Sequence, residues 1–370
     1  MTITETTDSV TAEHAPVTRL ASSQRIASGR LPTWSPWALL AGSLAVSAAV
    51  FAVLALGGQG FNPVGAAIIG GLLYLVLIGV ISTLVEGRRT ATDRIVTALV
   101  TAAFAIAMVP LVSVAYTAVH NGVAGLNAEF FSSSMRNVVG EGGGALHAIM
   151  GTLLITLAAA VISIPIGLLT SIYLIEYGRG RLAQGITFLV DVMTGIPSIV
   201  AGLFIYALFA LLIGPGVRMG LMGALSLAVL MIPVVVRSSE EMLRLVPNEL
   251  REASYALGVP KWLTILKVVL PTSMAGIVTG VTLAIARVIG ETAPLLVTAG
   301  FTASMNYSLT EGRTMSLPVF VYTQYMNQGI PAEAYVNRAW AAALVLIVLV
   351  MILNLIARLV ARYFAPAKSR

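Results

Sequence analysis

Long apolar stretches separated by short polar connectors run through most of this 370-residue chain. Several exceed the roughly 20 helical residues needed to cross the hydrocarbon core of a bilayer. Eight spans are predicted, near Trp37–Leu56, Gly65–Val85, Ile95–Val119, Leu146–Ile175, Ile186–Ile213, Met219–Val236, Gly276–Ala299 and Ala339–Val360. The pattern therefore predicts an all-α fold, a polytopic transmembrane helix bundle of about eight spans.

The polar segments divide the chain into five predicted regions. Residues 1–36 are rich in Thr, Ser and Ala and lack apolar periodicity, which predicts a disordered cytoplasmic tail. This lead-in is too long for a signal peptide, so we expect the first helix to remain as an anchor. Residues 37–85 are predicted to form an accessory N-terminal transmembrane hairpin, and 86–145 an additional span with an external loop. The transmembrane core is predicted at 146–360, followed by a cytoplasmic tail at 361–370.

Composition and charge agree with a membrane bundle and predict its orientation. Apolar residues make up 58% of the chain and charged residues 10%, with a mean hydropathy of +0.92. Most of the 22 Lys and Arg residues fall on one side if both termini are cytoplasmic, as the positive-inside rule requires. The net charge of +6 is thus explained by topology, and no basic face with interleaved aromatics indicates a nucleic-acid partner. The absence of cysteine excludes disulfides, thiol catalysis and cysteine-ligated metals.

The connector Asn248–Pro271 is the most informative polar segment, because it is charged and lies between two apolar spans. Its charges are Glu249, Arg251, Glu252, Lys261 and Lys267. These charges place it outside the membrane. Asn248 is predicted to cap a short helix, Gly258 to end it in the left-handed conformation, and Pro260 to begin the next. An apolar face of Leu250, Ser254 and Leu257 would suit a docking partner, while an ordinary structured cytoplasmic loop remains the alternative.

This connector resembles the EAA loop of ABC importer permeases, the coupling helix that docks on a cytoplasmic ATPase. Glu252, Ala253, Ser254 and Gly258 carry the resemblance, with Ser254 where the pattern usually has Ala. Three further segments, Gly151–Tyr177, Gly195–Phe204 and Arg287–Leu296, resemble the A-type permease subunit of the phosphate-specific (Pst) transport system, which belongs to the type I importer class. Members of that family commonly have six spans, so the hairpin Trp37–Val85 is a departure.

The resemblance implies a set of partners and a location. The chain is expected to be the permease subunit of an inorganic phosphate importer in the bacterial inner membrane. Its implied partners are two copies of an ATP-binding subunit, a C-type permease subunit forming a heterodimer with it, and an extracytoplasmic phosphate-binding protein. No cofactor is expected in this chain, and ATP and Mg²⁺ are expected on the partner ATPase. The external segments Asn121–Ala145 and Phe301–Arg338 are candidates for docking the binding protein.

Arg287 and Glu291 are the leading candidates for the substrate path. Placed four residues apart on one helix, they are predicted to share a face, and mid-membrane charges require a polar interior. An arginine fork matches the oxygens of phosphate, and a carboxylate pairs with it when the anion is absent. The alternative is an intrahelical ion pair that only fixes packing. Arg237 and Asp191 are weaker path candidates, since positions at the membrane interface also explain them.

Several other chemistries lack the residues they need. The three lysines are Lys261, Lys267 and Lys368, and none follows glycine, so the chain contains no Walker A motif. The three histidines lack metal-ligand spacing, so no metal site is predicted. We therefore expect a transport permease rather than an enzyme. A permease for another oxyanion, such as molybdate or sulfate, and an integral-membrane enzyme remain the alternative hypotheses.

Overall fold

The computed structural model of the protein describes residues 29–56 and 60–364, so most of both predicted tails lies outside the described residues. The helices are α1 (Ser35–Leu56), α2 (Pro63–Val85), α3 (Arg88–Gly122), α4 (Ala128–Ser132), α5 (Leu146–Ile172), α6 (Arg181–Thr194), α7 (Ser198–Leu212), α8 (Gly220–Arg244), α9 (Asn248–Ala256), α10 (Lys261–Thr264), α11 (Leu270–Val288), α12 (Ala293–Thr298), α13 (Leu317–Met326) and α14 (Ala332–Phe364). A π-helical turn, Tyr173–Tyr177, extends α5, and a second, Ile265–Val269, joins α10 to α11. The described residues contain no strand, which confirms the all-α prediction.

Seven helical segments are long and apolar enough to cross a membrane, and α6 with α7 forms a pair bent by 110°. The prediction of one continuous helix over Ile186–Ile213 is therefore wrong. The break falls at Gly195–Pro197, because proline has no amide hydrogen to donate and disfavours helical geometry in the residue before it.

The packing of α5 against α8 shows what the bent pair does. Gly223 of α8 lies against Ile155 of α5, and Gly167 of α5 lies twelve residues later against Val235 of α8. The two helices therefore run parallel, so the chain between them must return to the side where α5 begins. Helices α6 and α7 supply that return, which makes the pair an eighth, broken span.

A second predicted span, Gly276–Ala299, is also interrupted. Helix α11 ends at Val288, and α12 begins only at Ala293 after a short break. Gly290 weakens the helix by its conformational freedom, and Pro294 at the start of α12 cannot donate a backbone hydrogen bond into a continuing helix. The span itself runs earlier than predicted, over Lys261–Val288.

The structure divides into two compact units, Met1–Val112 and Ser113–Arg370. In the first, α1 and α2 form an antiparallel hairpin in which the Ser47 hydroxyl donates to the carbonyl of Ala66 at 2.7 Å. At the end of the hairpin, Arg94 holds the buried carboxylate of Glu86 through two hydrogen bonds of 2.6 and 2.8 Å. The Arg94 guanidinium lowers the pKa of the Glu86 carboxyl to about 2.

The second unit is built around α8, whose buried side chains face α5 on one side and α11 on another. Gly280 and Gly276 of α11 lie against Ser238 and Met242 of α8, so these two helices are antiparallel. Glycine at such positions lets helix backbones approach closely within a membrane bundle. The core of this unit thus positions the charged residues that α6, α8 and α11 carry.

Candidate translocation path and coupling site

Helix α9 forms the predicted short helix of the charged connector, but its first turn differs from the prediction. Asn248 is the first helical residue, and Pro247 occupies the capping position in an extended conformation with φ −59° and ψ 142°. The prediction that Asn248 caps the helix is therefore wrong. Its side-chain oxygen instead accepts a 3.3 Å hydrogen bond from Arg251.

The end of α9 follows the sequence closely. Gly258 has a φ of +74°, which confirms the predicted left-handed residue. The amide of Gly258 donates to Tyr255 at 2.9 Å, and that of Val259 donates to Ser254 at 3.2 Å, satisfying carbonyls of the last turn. Pro260 directly precedes α10 rather than lying within its first turn.

The surface of α9 is largely exposed, with one exception that corrects a prediction. Leu250 and Leu257 are exposed, at 42% and 84%, whereas Ser254 is buried at 7%. The Ser254 and Thr264 hydroxyls share a hydrogen bond of 2.8 Å, so Ser254 fastens α9 to α10. It does not belong to the predicted docking face. Of the other predicted coupling residues, Glu252, Ala253 and Gly258 are exposed.

Helix α9 and the start of α10 are held against the end of α5 by contacts that the sequence did not reveal. Arg251 donates from Nε and Nη2 to the carboxylate of Glu176, at 3.0 and 2.8 Å, and both side chains are largely buried. Lys261 donates to the main-chain carbonyl of Glu176, and its ammonium lies 4.6 Å from the centre of the Tyr177 ring. The sequence signal that could have revealed this pairing is Glu176 itself. A carboxylate at the end of an apolar span needs a cation as partner if it is buried.

The structure brings the two weaker path candidates together. Arg237 on α8 pairs with Asp191 on α6, and its Nη1 lies 2.8 Å from Glu240 one turn further along α8. The Asp191 side chain is 59% exposed, whereas that of Glu240 is only 5% exposed. Arg237 is therefore held between a buried and an accessible carboxylate.

The two leading candidates do not form the predicted pair. Arg287 lies near the end of α11, whereas Glu291 lies in the break before α12, where its amide donates to Val288 at 3.1 Å. Because the helix ends between them, the side chains do not lie one above the other, and the prediction of a shared helical face is wrong. Among the described residues, neither takes part in an ion pair. Arg287 is exposed and Glu291 is partly buried.

The two arginines are staggered along the bundle. Gly280 of α11 lies at the level of Ser238 of α8, next to Arg237. Arg287 follows Gly280 by seven residues, or about 10 Å of helix, in the direction of the α8 N-terminus. Arg237 and Arg287 thus lie at different depths, and within the part of the chain that the structure describes Arg237 has carboxylate partners whereas Arg287 has none.

Comparison with known proteins gives a family model, two named relatives and one solved structure. The family model described as "Binding-protein-dependent transport system inner membrane component" matches residues 163–370. A protein of Mycobacterium tuberculosis (strain ATCC 25618 / H37Rv) named "Phosphate transport system permease protein PstA 1" is 45% identical over 286 residues, covering 76% of this chain and 91% of its own. The Yersinia pestis protein named "Phosphate transport system permease protein PstA" is 38% identical over 290 residues, covering 75% and 95%. A chain of the inward-facing MetNI methionine ABC transporter aligns with a TM-score of 0.48 and 19% identity, covering 60% and 96%.

Proposed function

This chain belongs to the family of binding-protein-dependent transport system inner membrane components, among the PstA-type permeases, and we propose that it forms the translocation path of an ATP-driven importer of inorganic phosphate. It is accordingly a multi-span transport subunit of the inner membrane. The observation that best supports phosphate as the substrate is that relatives matched over nine-tenths of their length are named phosphate transport permeases. The arrangement of charges in the bundle is compatible with that substrate.

Arg287 is the proposed first contact for the anion within the bundle. Its guanidinium is exposed and has no carboxylate partner among the described residues, so its fork is available to two phosphate oxygens. Arg237 is the proposed second contact, nearer the cytoplasm. There the accessible Asp191 would give way to the incoming anion, while the buried Glu240 keeps the guanidinium in place.

Glu291 is proposed to contribute selectivity among oxyanions. Hydrogen phosphate carries a proton at neutral pH, and a carboxylate accepts a hydrogen bond from that proton. Sulfate and molybdate are fully ionised under the same conditions, so the same carboxylate repels them. The partly buried position of Glu291, in the break after α11, is suited to this role because burial strengthens both effects.

The exposed face of α9 is the proposed docking surface for the ATPase. Its apolar residues Leu250 and Leu257 project beside the acidic Glu249 and Glu252, a combination that suits a groove on a soluble partner. ATP and Mg²⁺ are proposed to bind that partner. One ATPase copy would dock here and the second on a C-type permease subunit paired with this chain.

The binding protein is proposed to dock on the outer segments, which are joined into one surface. Arg338 near the start of α14 is buried and donates from Nη1 to the carbonyls of Gly140 and Gly142, at 2.7 and 3.0 Å. It also donates from Nε to Gln324, at 3.1 Å. These contacts tie the predicted external segments Asn121–Ala145 and Phe301–Arg338 to each other.

Transport by the reconstituted complex tests the proposal. The chain would be purified with its ATPase and C-type partner, placed in liposomes, and supplied with the binding protein and radiolabelled phosphate. We expect ATP-dependent phosphate uptake that excess sulfate or molybdate leaves largely intact, and Glu291→Gln should make sulfate a better competitor. Uptake of another oxyanion in preference to phosphate would refute the proposed substrate.

A further inference from the structure

Four residues at the cytoplasmic end of the bundle form one cluster, here called the coupling clamp: Glu176, Tyr177, Arg251 and Lys261. The Glu176 side chain is 5% exposed and that of Arg251 is 13% exposed. The Glu176 residue is held twice, through its carboxylate by Arg251 and through its main-chain carbonyl by Lys261. The π-helical end of α5 is thereby joined by polar contacts to α9 through Arg251 and to α10 through Lys261.

Arg251 also contacts the end of α8. Its Nη1 donates to the carbonyl of Val246 at 2.6 Å, and its Nη2 donates to that of Leu243 at 3.1 Å. The Leu243 carbonyl lies in the last turn of α8 and that of Val246 lies just beyond it, where helix carbonyls lack regular intrahelical partners. One guanidinium therefore connects α9 with the ends of both long helices, α5 and α8.

The opposite end of α5 is fixed to an external loop. The Thr152 hydroxyl accepts a 2.7 Å hydrogen bond from the amide of Leu317, and Gly151 lies directly against the carbonyl of Met315. From Thr152 to Glu176 the helix and its π-helical extension advance 24 residues, about 36 Å, with α5 packed along α8. Chains of packed side chains and helices are the physical route by which a displacement at one end of a bundle can reach the other, and α5 packed along α8 provides such a route.

We infer that Glu176 is a positioning residue of the transport cycle, which transfers movement of the coupling helix through α5 to the external loop at Thr310–Leu317. The inference rests on the proposed function, since it assumes that an ATPase moves α9. Glu176 suits this role because it lies in the π-helical turn Tyr173–Tyr177, a local widening of the helix that turns side chains out of the regular α-helical register. In this role the carboxylate fixes the position of α9 relative to the end of α5 and does not contact the substrate.

The test measures the accessibility of the external loop to a labelling reagent in variants that change only the coupling clamp. The chain has no cysteine, so the exposed Thr310 can carry a unique label site as Thr310→Cys. The rate of maleimide labelling would be measured in nanodiscs containing the chain with its ATPase and C-type partner, with and without ATP and vanadate. With the clamp intact, we expect trapping to change the rate at least about fivefold, the lower end of ordinary allosteric coupling.

Three variants in the Thr310→Cys background decide the outcome. Glu176→Gln keeps the size of the side chain but loses its charge, and should abolish the change in rate while the ATPase still co-purifies. Glu176→Asp keeps the charge and should restore part of the change. Glu241→Gln, an exposed carboxylate near the end of α8, is the matched control and should leave the change intact.

The other results would overturn the inference. These are a full change in rate in Glu176→Gln, no change with the clamp intact, or loss of the bound ATPase from Glu176→Gln, which would make the clamp a support for α9 alone. No phosphate is present in this assay, so its outcome is independent of the anion carried. A complex that responds to nucleotide but transports sulfate would refute the proposed substrate and leave the clamp intact.

Discussion

At the scale of single residues, the charged side chains of the bundle differ in how they are neutralised. Glu240 is almost fully buried, so removing Arg237 would leave a buried charge unpaired, which typically destabilises a protein by about 3–5 kcal/mol. Asp191 is mostly exposed, and removing it should change stability by less than about 1 kcal/mol. Arg287 has no ion-pair partner among the described residues, so its removal leaves none of their carboxylates without a partner.

This difference makes Arg287 a favourable residue for testing the path. We expect the Arg287→Ala complex to assemble normally and to lose about 10- to 100-fold in phosphate uptake, the effect of losing hydrogen bonds to a charged group. Arg287→Lys keeps the charge without the planar fork, so its uptake should fall between those of the wild type and the alanine variant. Uptake by proteoliposomes and co-purification of the partner subunits are the two measurements.

The matched control for this prediction is Arg181→Ala. Arg181 is an exposed arginine at the start of α6, outside the proposed path, and its removal should leave uptake unchanged. Uptake near the wild-type level by an assembled Arg287→Ala complex would show that Arg287 does not contact the anion.

The sequence predicted which charges are unusual, but it did not predict which of them meet. Arg237 and Asp191 were both singled out, yet 46 residues separate them and their pairing depends on how α6 packs on α8. Arg287 and Glu291 were predicted to pair because their spacing of four suits a helix. That inference failed because the helix ends between them, and helix ends are set by local backbone geometry as much as by periodicity.

At the scale of elements, the turn after α9 is a feature that the local sequence alone is sufficient to predict. A left-handed residue needs glycine for reasons of backbone sterics alone, so Gly258 could be interpreted without knowledge of its neighbours. Ser254 could not, because its burial depends on the position of Thr264 in the next helix. The breaks at Pro197 and Gly290 lie between these cases, since proline and glycine weaken a helix locally but tertiary packing decides whether the helix bends or ends there.

Replacing Gly258 tests the turn. Gly258→Val should strain it by at least about 1–2 kcal/mol, because a β-branched residue tolerates the left-handed conformation poorly. We expect α9 to lose its orientation and the ATPase to dissociate, measured by co-purification and by ATP-dependent uptake. Gly258→Asn is the control, because asparagine adopts this conformation more readily and should retain most ATPase binding. Equal binding by the valine and asparagine variants would contradict a requirement for the left-handed turn.

A pair of glycines tests the attachment of α5 to the loop between α12 and α13. A methyl group on Gly151 would collide with the backbone carbonyl of Met315. Gly151→Ala should therefore lower the free energy of unfolding by about 1–3 kcal/mol, the usual cost of overpacking. Gly185 of α6 has open space around it, and Gly185→Ala should raise helix stability by up to about 1 kcal/mol. Thermal unfolding of the two variants in detergent should therefore shift in opposite directions, and a shared direction would argue against the close contact at Gly151.

At the scale of the whole molecule, the second unit has two distinct ends. The starts of α5 and α8 meet the loop between α12 and α13 through Gly151 and Gly220, which lie against Met315 and Leu309. The far ends of the same two helices meet α9 through Arg251. The parallel arrangement of α5 and α8 thus places this loop and α9 at opposite ends of the unit, whichever end faces the cytoplasm.

The distribution of basic residues assigns those ends, and cysteine labelling tests the assignment. Thr310→Cys should react with a membrane-impermeant maleimide in intact cells, because the positive-inside rule places its loop outside. Leu257→Cys on the exposed face of α9 should react only after the membrane is disrupted. Reversed accessibility would overturn the orientation while preserving the fold. Labelling of both sites in intact cells would contradict the placement of the loop and α9 at opposite ends, which the parallel helices require.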